Sequence, residues 1–293
     1  DQDLDDDTIE KIAAALAVMT ANRGIQTIAL GYDSRPSSKR IRTTLVKTLL
    51  ASGRDIIDLG EVPSPLVHYA THNSAATSSV MITGSHSGGH INGLKIVFDR
   101  NPLSGSEIQE VLDTVRSGRR VQGAGRIMKE QLIPAYVDQI AMDVALALPL
   151  KVVIDCDFGT AARVAPTLFE ALDCEIVTIN HPEHGTRPDD WTLAAALESL
   201  GARVREEGAD LGVIFDSDAD QLHSVTETGR IVDSDQLLMI LARDGLERNP
   251  GADIVYDVKF TRHFGPFITR AGGRGLLARS GPLFVREKMQ QSG

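Results

Sequence analysis

Short apolar runs alternate with amphipathic segments along almost the whole chain, and this alternation restricts the fold more than any other feature. Runs such as Ile25–Leu30, Lys151–Asp155 and Leu211–Phe215 are typical of buried strands. Segments between such runs, for example Thr8–Met19 and Leu193–Glu207, carry apolar residues at helical spacing. Strands that alternate with helices predict α/β layers, here consecutive similar α/β units with mixed, largely parallel sheets.

The pattern restarts twice, once near Leu132 and again near Ile231. We therefore expect three consecutive units, at residues 1–130, 131–231 and 232–293. A length of 293 residues accommodates two or three domains of ordinary size.

The charge balance restricts the partners. With 30 basic and 40 acidic side chains the formal net charge is −10, which argues against nucleic acid or an anionic membrane surface as the main partner. No apolar run reaches the roughly 18 residues that a membrane-spanning helix needs. No basic-then-apolar signal segment opens the sequence, so we expect a cytoplasmic protein.

The two cysteines, Cys156 and Cys174, are 18 residues apart. That spacing fits neither a zinc knuckle nor a redox Cys-x-x-Cys pair. Because one cysteine follows a predicted strand and the other precedes one, we expect buried free thiols.

The first loop of chemical interest is the glycine-rich segment 83–95, which follows a predicted strand. Its glycines allow the backbone to approach a ligand closely and to turn N–H groups toward an anion. Ser85 offers a hydroxyl nucleophile, His86 a neighbouring donor or base, and Lys95 a cation. An ordinary glycine turn with a surface serine is the alternative, and the Gly-x-Ser-x-Gly elbow of esterases is absent.

The second loop, 216–221, follows the apolar run Leu211–Phe215 and carries alternating carboxylates at Asp216, Asp218 and Asp220. Three carboxylates packed together repel one another unless a hard cation such as Mg²⁺ neutralises them. The alternative is a solvated acidic turn. The glycine and terminal glutamate of an EF-hand do not follow.

A third loop, 257–263, places Lys259 and Arg262 after a predicted strand, where they could contact a phosphate or a sugar hydroxyl, or be solvated charges at a helix start. The P-loop and dinucleotide fingerprints are absent. A serine, a candidate cation site and several basic groups together suggest phosphoryl transfer through a phosphoserine that bridges to the metal.

The motifs of these loops resemble those of the α-D-phosphohexomutases, most closely the bacterial phosphomannomutase/phosphoglucomutase branch. The resemblance runs through nearly the whole chain in the same order. The matching segments are Gly31-x-Asp33-x-Arg35-x-Ser37-Ser38, Thr83-Gly84-Ser85-His86, Asn92-Gly93-x-Lys95, Asp216-x-Asp218-x-Asp220, Asp257-Val258-Lys259 and Glu287-Lys288-Met289.

The resemblance implies a reversible shift of phosphate between the 1- and 6-positions of mannose or glucose. It implies that Ser85 carries the phosphoryl group, with hexose 1,6-bisphosphate as intermediate and activator. It further implies that Asp216, Asp218 and Asp220 bind Mg²⁺ together with a phosphoserine oxygen. His86 would support the loop, and Lys95 would assist proton transfer or stabilise charge. The phosphosugar would be contacted by Arg35, Lys259 and Arg262.

Five positions depart from the family pattern. Ser87 and Gly88 replace an Asn-Pro pair, Ser217 replaces a glycine, Gln221 replaces an arginine, and Pro282 replaces a histidine. The family's first strand and its fourth domain are also expected to be missing. The alternative to a mutase is therefore a truncated or degenerate relative that keeps the fold and metal binding without catalysis. The sugar preference and the oligomeric state stay open.

Overall fold

The computed structural model describes residues 3–292 and divides into two compact units, with the boundary after Arg230. The three-unit division expected from the sequence stays a prediction. Within the described residues, none of the helices combines the length and hydropathy required to cross a bilayer.

The first unit begins with a mixed sheet in the strand order β5-β4-β3-β1-β2-β6. Strands β1, β2, β3 and β6 run parallel, whereas β4 and β5 form an antiparallel edge. The elements are α1 (Asp6–Asn22), β1 (Thr27–Tyr32), α2 (Ser38–Ala51), β2 (Asp55–Glu61), α3 (Ser64–Asn73), β3 (Ser78–Ile82), β4 (Leu94–Phe98), β5 (Asn101–Pro102), α4 (Gly105–Ser117) and β6 (Ile127–Lys129).

Alternating side chains of β1 enter different cores on the two faces of this sheet. Ile28 and Leu30 pack with α1 and α2, whereas Ala29 packs with α3. This is the two-residue period of a strand covered on both faces, and it explains why β1 is apolar throughout.

The same unit contains a second sheet, and the strands of this unit lie in it in the order β10-β9-β7-β8. Strand β7 is parallel to both β8 and β9, and β10 returns antiparallel to β9. The elements are α5 (Ile133–Asp143), β7 (Lys151–Asp155), α6 (Ala165–Ala171), β8 (Glu175–Ile179), α7 (Leu193–Glu207), β9 (Leu211–Phe215) and β10 (Leu222–Thr226), with 3₁₀ turns at Thr160–Arg163 and Pro182–His184.

The second unit contains a parallel pair of strands, β12 and β13, with a small core around Phe264 and Leu246. Its elements are β11 (Ile231–Val232), α8 (Ser234–Arg248), β12 (Asp253–Asp257), α9 (Phe264–Arg270), β13 (Arg274–Ala278) and α10 (Pro282–Ser292).

The α/β class with mixed, parallel-rich sheets is confirmed, and Cys156 and Cys174 are both free and buried. The segment 160–171 is not one continuous helix, because a 3₁₀ turn at Thr160–Arg163 precedes α6. The break lies at Val164, with φ −130°, two residues before Pro166. Proline lacks an N–H and suits the first turn of a helix, so the helix restarts there.

Candidate functional site

The glycine-rich loop between β3 and β4 presents Ser85 in the left-handed backbone region, with φ 51°. The Ser85 N–H donates a 2.8 Å hydrogen bond to Oγ1 of Thr83, which closes a tight local turn. Gly84 has no room for a side chain, since a Cβ there would lie 2.3 Å from the carbonyl oxygen of Ile91. The loop conformation that exposes the serine therefore depends on Gly84.

Arg35 binds the backbone of this loop. Its Nη2 donates to the backbone carbonyls of Ser85 at 2.6 Å and Ser87 at 2.7 Å. Asp33 is fully buried, forms an ion pair with Arg35, and accepts a 2.6 Å hydrogen bond from the Ser38 hydroxyl. These contacts show that Asp33, Arg35 and Ser38 support the backbone of the serine loop. Substrate binding by Arg35 stays a prediction.

The acidic loop connects β9 to β10 and folds around the carboxylate of Asp216. The N–H groups of Asp220 and Gln221 both donate to Oδ1 of Asp216 at 3.1 Å. Ala219 adopts φ 56°, which turns the chain back toward β10. One carboxylate oxygen each from Asp216, Asp218 and Asp220 lies within 4.8 Å of the other two.

The contacts of Lys95 give Asp216 and Asp218 different pKa shifts, although both carboxylates are buried. Burial, followed by the charge of Asp218, raises the pKa of Asp216 to about 6. Burial also acts to raise the pKa of Asp218, but the charge and hydrogen bond of Lys95 outweigh it and leave that pKa below its usual value. Oδ1 of Asp218 is buried and has no hydrogen-bond partner in the part of the chain that the structure describes.

Lys95, on β4, bridges two of the acidic residues. Its Nζ lies 2.5 Å from Oδ2 of Asp218 and 2.6 Å from Oδ2 of Asp220. Burial acts to lower the pKa of Lys95, but the contacts with these two carboxylates outweigh burial and raise it. Lys95 is therefore a cation at neutral pH.

Ser85 and the acidic loop meet directly. The Ser85 hydroxyl donates to Oδ2 of Asp216 at 3.3 Å, and it lies 3.4 Å from Nδ1 of His86. Nε2 of Gln221 lies 3.0 Å from the same His86 nitrogen. The structure thus brings together the six residues that the sequence predicted for phosphoryl transfer and metal binding, namely Ser85, His86, Lys95, Asp216, Asp218 and Asp220.

The acidic residues fit a hard divalent cation. Carboxylate oxygens are the ligands that Mg²⁺ prefers, and three of them converge here. The orphaned oxygen of Asp218 offers a buried acceptor, and buried acceptors without partners are rare in folded proteins. The hydroxyl of Ser85 stands beside this cluster, at Asp216.

Two models of one family match the chain. The model of phosphoglucomutase/phosphomannomutase alpha/beta/alpha domain I matches residues 1–122, and that of domain II matches residues 134–229. The chain belongs to the phosphoglucomutase/phosphomannomutase family. This confirms the resemblance that the sequence motifs indicated.

Individual family members agree with this assignment. A phosphomannomutase/phosphoglucomutase of Pseudomonas putida is 40% identical over 96% of this chain, and a phosphoglucomutase of Neisseria gonorrhoeae is 34% identical over 99% of it. A family protein from Burkholderia thailandensis, of known crystal structure, superposes with a TM-score of 0.92 at 32% identity, over 99% of this chain and 66% of its own. The chain spans 62% of the length of the Pseudomonas relative and 64% of the Neisseria relative.

Four of the positions that depart from the family pattern lie in the first unit, where each makes a hydrogen-bond contact. Gln221 contacts His86, as above, and the hydroxyl of Ser217 lies 3.4 Å from Nη1 of Arg187. The carbonyl of Ser87 accepts from Arg35, and that of Gly88 accepts from the N–H of Ile91 at 2.9 Å.

The second unit contains two residues that were predicted to bind substrate and one that departs from the family pattern. Lys259 and Arg262 follow β12, both with exposed side chains, and Pro282 is the first residue of α10. Substrate binding by Lys259 and Arg262 stays a prediction.

One residue of the cluster was missed by the sequence analysis. Ser64, the first residue of α3, donates its hydroxyl to Oδ2 of Asp218 and its N–H to the Asp218 carbonyl at 2.8 Å. Its position just beyond the carboxyl end of β2 is the signal that could have identified it, because polar residues at strand ends gather at one edge of a parallel sheet.

Proposed function

We propose that this chain carries the phosphoryl-transfer site of a phosphohexomutase that interconverts the 1- and 6-phosphates of mannose or glucose. The observation that carries the proposal is the 3.3 Å contact between Oγ of Ser85 and Oδ2 of Asp216, which joins a nucleophilic hydroxyl to a candidate metal cluster. Membership of the family supports the same chemistry.

Ser85 would act as the phosphoryl carrier. In the forward step the P–O bond to Ser85 Oγ breaks, a P–O bond to a sugar hydroxyl oxygen forms, and the proton released by the sugar hydroxyl ends on Oγ of Ser85. The product of this step is hexose 1,6-bisphosphate, the proposed intermediate and activator. In the return step the P–O bond at the other sugar position breaks, that phosphoryl group bonds to Oγ of Ser85, and the proton of the Ser85 hydroxyl ends on the sugar oxygen. A covalent carrier of this kind divides one transfer into two easier ones.

Lys95 would stabilise the charge of the transferring phosphoryl group. Its raised pKa keeps it protonated, so it is available as a cation rather than as a base. Electrostatic stabilisation of the equatorial oxygens is the main protein contribution to phosphoryl transfer. His86, beside Ser85, would orient the serine loop.

Asp216, Asp218 and Asp220 would hold Mg²⁺ together with an oxygen of the phosphorylated serine. The cation supplies Lewis-acid polarisation of that phosphoryl group when bound. Asp216 must be ionised to act as a ligand, and its pKa near 6 means that it is largely ionised at neutral pH.

The substrate would be a phosphosugar, since the relatives are named for mannose and glucose phosphates. We propose that Arg35, Lys259 and Arg262 contribute to binding it, and that the protein acts in the cytoplasm. The alternative, a degenerate relative without catalysis, is less well supported, because the serine, the lysine and all three aspartates are retained and assembled.

A magnesium titration of thermal stability tests the metal half of the proposal. A cation that binds the folded loop raises the unfolding midpoint by mass action. Asp218→Asn removes the most buried carboxylate of the cluster and is expected to abolish the shift, whereas Asp138→Asn, an exposed change on α5, should retain it. A shift that survives Asp218→Asn would place the metal elsewhere.

A further inference from the structure

Arg187 reaches the acidic loop from the segment that follows β8. Its Nη1 lies 3.4 Å from the hydroxyl of Ser217, the residue between Asp216 and Asp218. Its guanidinium stacks on the ring of Trp191, at 3.5 Å from the ring centre. Stacking and burial restrict a guanidinium to one orientation. The N–H groups of Arg187 therefore point toward the hydroxyl of Ser217 in a fixed direction.

Asp157 supplies the counter-charge to Arg187. Oδ1 of Asp157 lies 3.3 Å from Nε of Arg187, and the Asp157 side chain is fully buried. Neither carboxylate oxygen of Asp157 has a hydrogen-bond partner among the described residues. A buried carboxylate of this kind depends on a paired charge, so Asp157 anchors the arginine beside the acidic loop.

The backbone around Asp157 is held in an unusual conformation. Asp157 and Phe158 have φ values of 45° and 53°, in the left-handed backbone region that residues other than glycine rarely adopt. The N–H of Phe158 donates to the carbonyl of Asn180 at 2.7 Å, and its carbonyl accepts from the Ser34 hydroxyl at 3.1 Å. Such conformations persist where the surroundings fix them, which occurs most often near functional sites.

Ser217 is held on two sides. Its carbonyl accepts from the N–H of Thr160 at 3.0 Å, and a Cβ on Gly159 would lie 2.6 Å from the same oxygen. Its hydroxyl faces Arg187. Residue 217 is therefore held through both its backbone carbonyl and its side-chain hydroxyl.

We propose that Arg187 is a positioning residue for the acidic loop, and that it fixes Ser217 so that the adjacent carboxylates of Asp216 and Asp218 keep the spacing that receives Mg²⁺. The inference rests on the metal site of the proposed function. Contacts of this kind behind metal ligands commonly change metal affinity by about 10- to 100-fold.

The test is a double-mutant cycle on Mg²⁺ affinity, measured by calorimetry with the full chain and MgCl₂ alone. Ser217→Ala and Arg187→Ala are each expected to weaken binding about tenfold, and the double variant should be no weaker than either. Ser217→Thr, which keeps the hydroxyl, should bind within about twofold of the unmodified chain. Arg163→Ala removes an arginine paired to Glu61 on the same unit and should change nothing.

The outcomes separate this inference from the proposed function. If the unmodified chain binds no Mg²⁺, or Asp218→Asn binds it equally well, the proposed metal site fails and the inference fails with it. If the unmodified chain binds and Ser217→Ala binds as tightly, the inference alone is overturned. A tighter Arg187→Ala variant, or losses that multiply in the double variant, would also overturn it. If Arg187→Ala does not fold, as judged by circular dichroism, the Mg²⁺ affinities of Ser217→Ala and Ser217→Thr still test the inference. Equal affinities of these two variants would overturn it.

Discussion

Lys95 forms an ion pair with Asp218, in which its Nζ lies 2.5 Å from Oδ2. The other oxygen of that carboxylate, Oδ1, is buried and has no hydrogen-bond partner within residues 3–292. The lysine and a divalent cation therefore compete for charge on Asp218, although each would be needed for phosphoryl transfer. The ammonium group neutralises part of the repulsion among the three aspartates.

Replacing Lys95 with methionine should tighten Mg²⁺ binding and abolish phosphoryl transfer. Loss of the ammonium removes a competing cation from Asp218 and Asp220, and we expect an affinity gain of roughly tenfold, or about 1.4 kcal/mol. Isothermal titration calorimetry measures the affinity. Lys129→Met, an exposed change on β6, is the matched control and should leave it unchanged. Weaker binding by the Lys95 variant would show that the lysine supports the metal site instead.

Gly159→Ala should displace the acidic loop. A Cβ at this position would lie 2.6 Å from the carbonyl oxygen of Ser217 and 2.7 Å from its Cα, and backbone atoms cannot move away independently. We expect a loss of about 1–3 kcal/mol in the free energy of unfolding, from urea denaturation, together with weaker Mg²⁺ binding. Gly89→Ala, whose added Cβ would meet nothing within 4 Å, is the control. Equal effects of both substitutions would contradict this account of the contact.

Asp157 should make the protein less stable as pH rises through the acid range. Burial, only partly offset by Arg187, raises the pKa of Asp157 from 3.8 to about 7. Between these values the folded chain keeps a proton that the unfolded chain has released, so the free energy of unfolding falls with increasing pH. The stability that comes from protonated Asp157 is fully lost above about pH 7.

Asp157→Asn removes this titration, which gives the measurement. Without Mg²⁺, the stability of the variant relative to the unmodified chain should increase from pH 4 to pH 7 and then level off, by an amount on the order of a few kcal/mol. Denaturation curves at several pH values measure it, with the exposed Asp138→Asn as control. A difference between the Asp157 variant and the unmodified chain that stays constant over this range would contradict the raised pKa.

The sequence was sufficient to predict Ser85, His86 and the three aspartates of the cluster, because they follow strands that could be recognised by their apolar runs. Ser85 follows β3 and Asp216 follows β9, and the carboxyl ends of such strands gather where ligands bind in α/β sheets. The α/β class followed from the same runs.

The contacts within the cluster could not be predicted, because they depend on how the two sheets of the first unit face each other. Nothing in the sequence pairs Ser64 with Asp218, which are 154 residues apart, or Gln221 with His86. The strand β10 was missed as well, since three of the five residues in Leu222–Thr226 are polar and its pairing with β9 depends on the turn at Ala219.

Phosphopeptide mapping of Ser85 tests the central claim most directly. The chain is incubated with glucose 1,6-bisphosphate and Mg²⁺, and the modified residue is identified by mass spectrometry. We expect one phosphoryl group, on Ser85, lost in Ser85→Ala and retained in Ser87→Ala. A folded, Mg²⁺-binding chain that acquires no phosphoryl group at Ser85 would contradict the account.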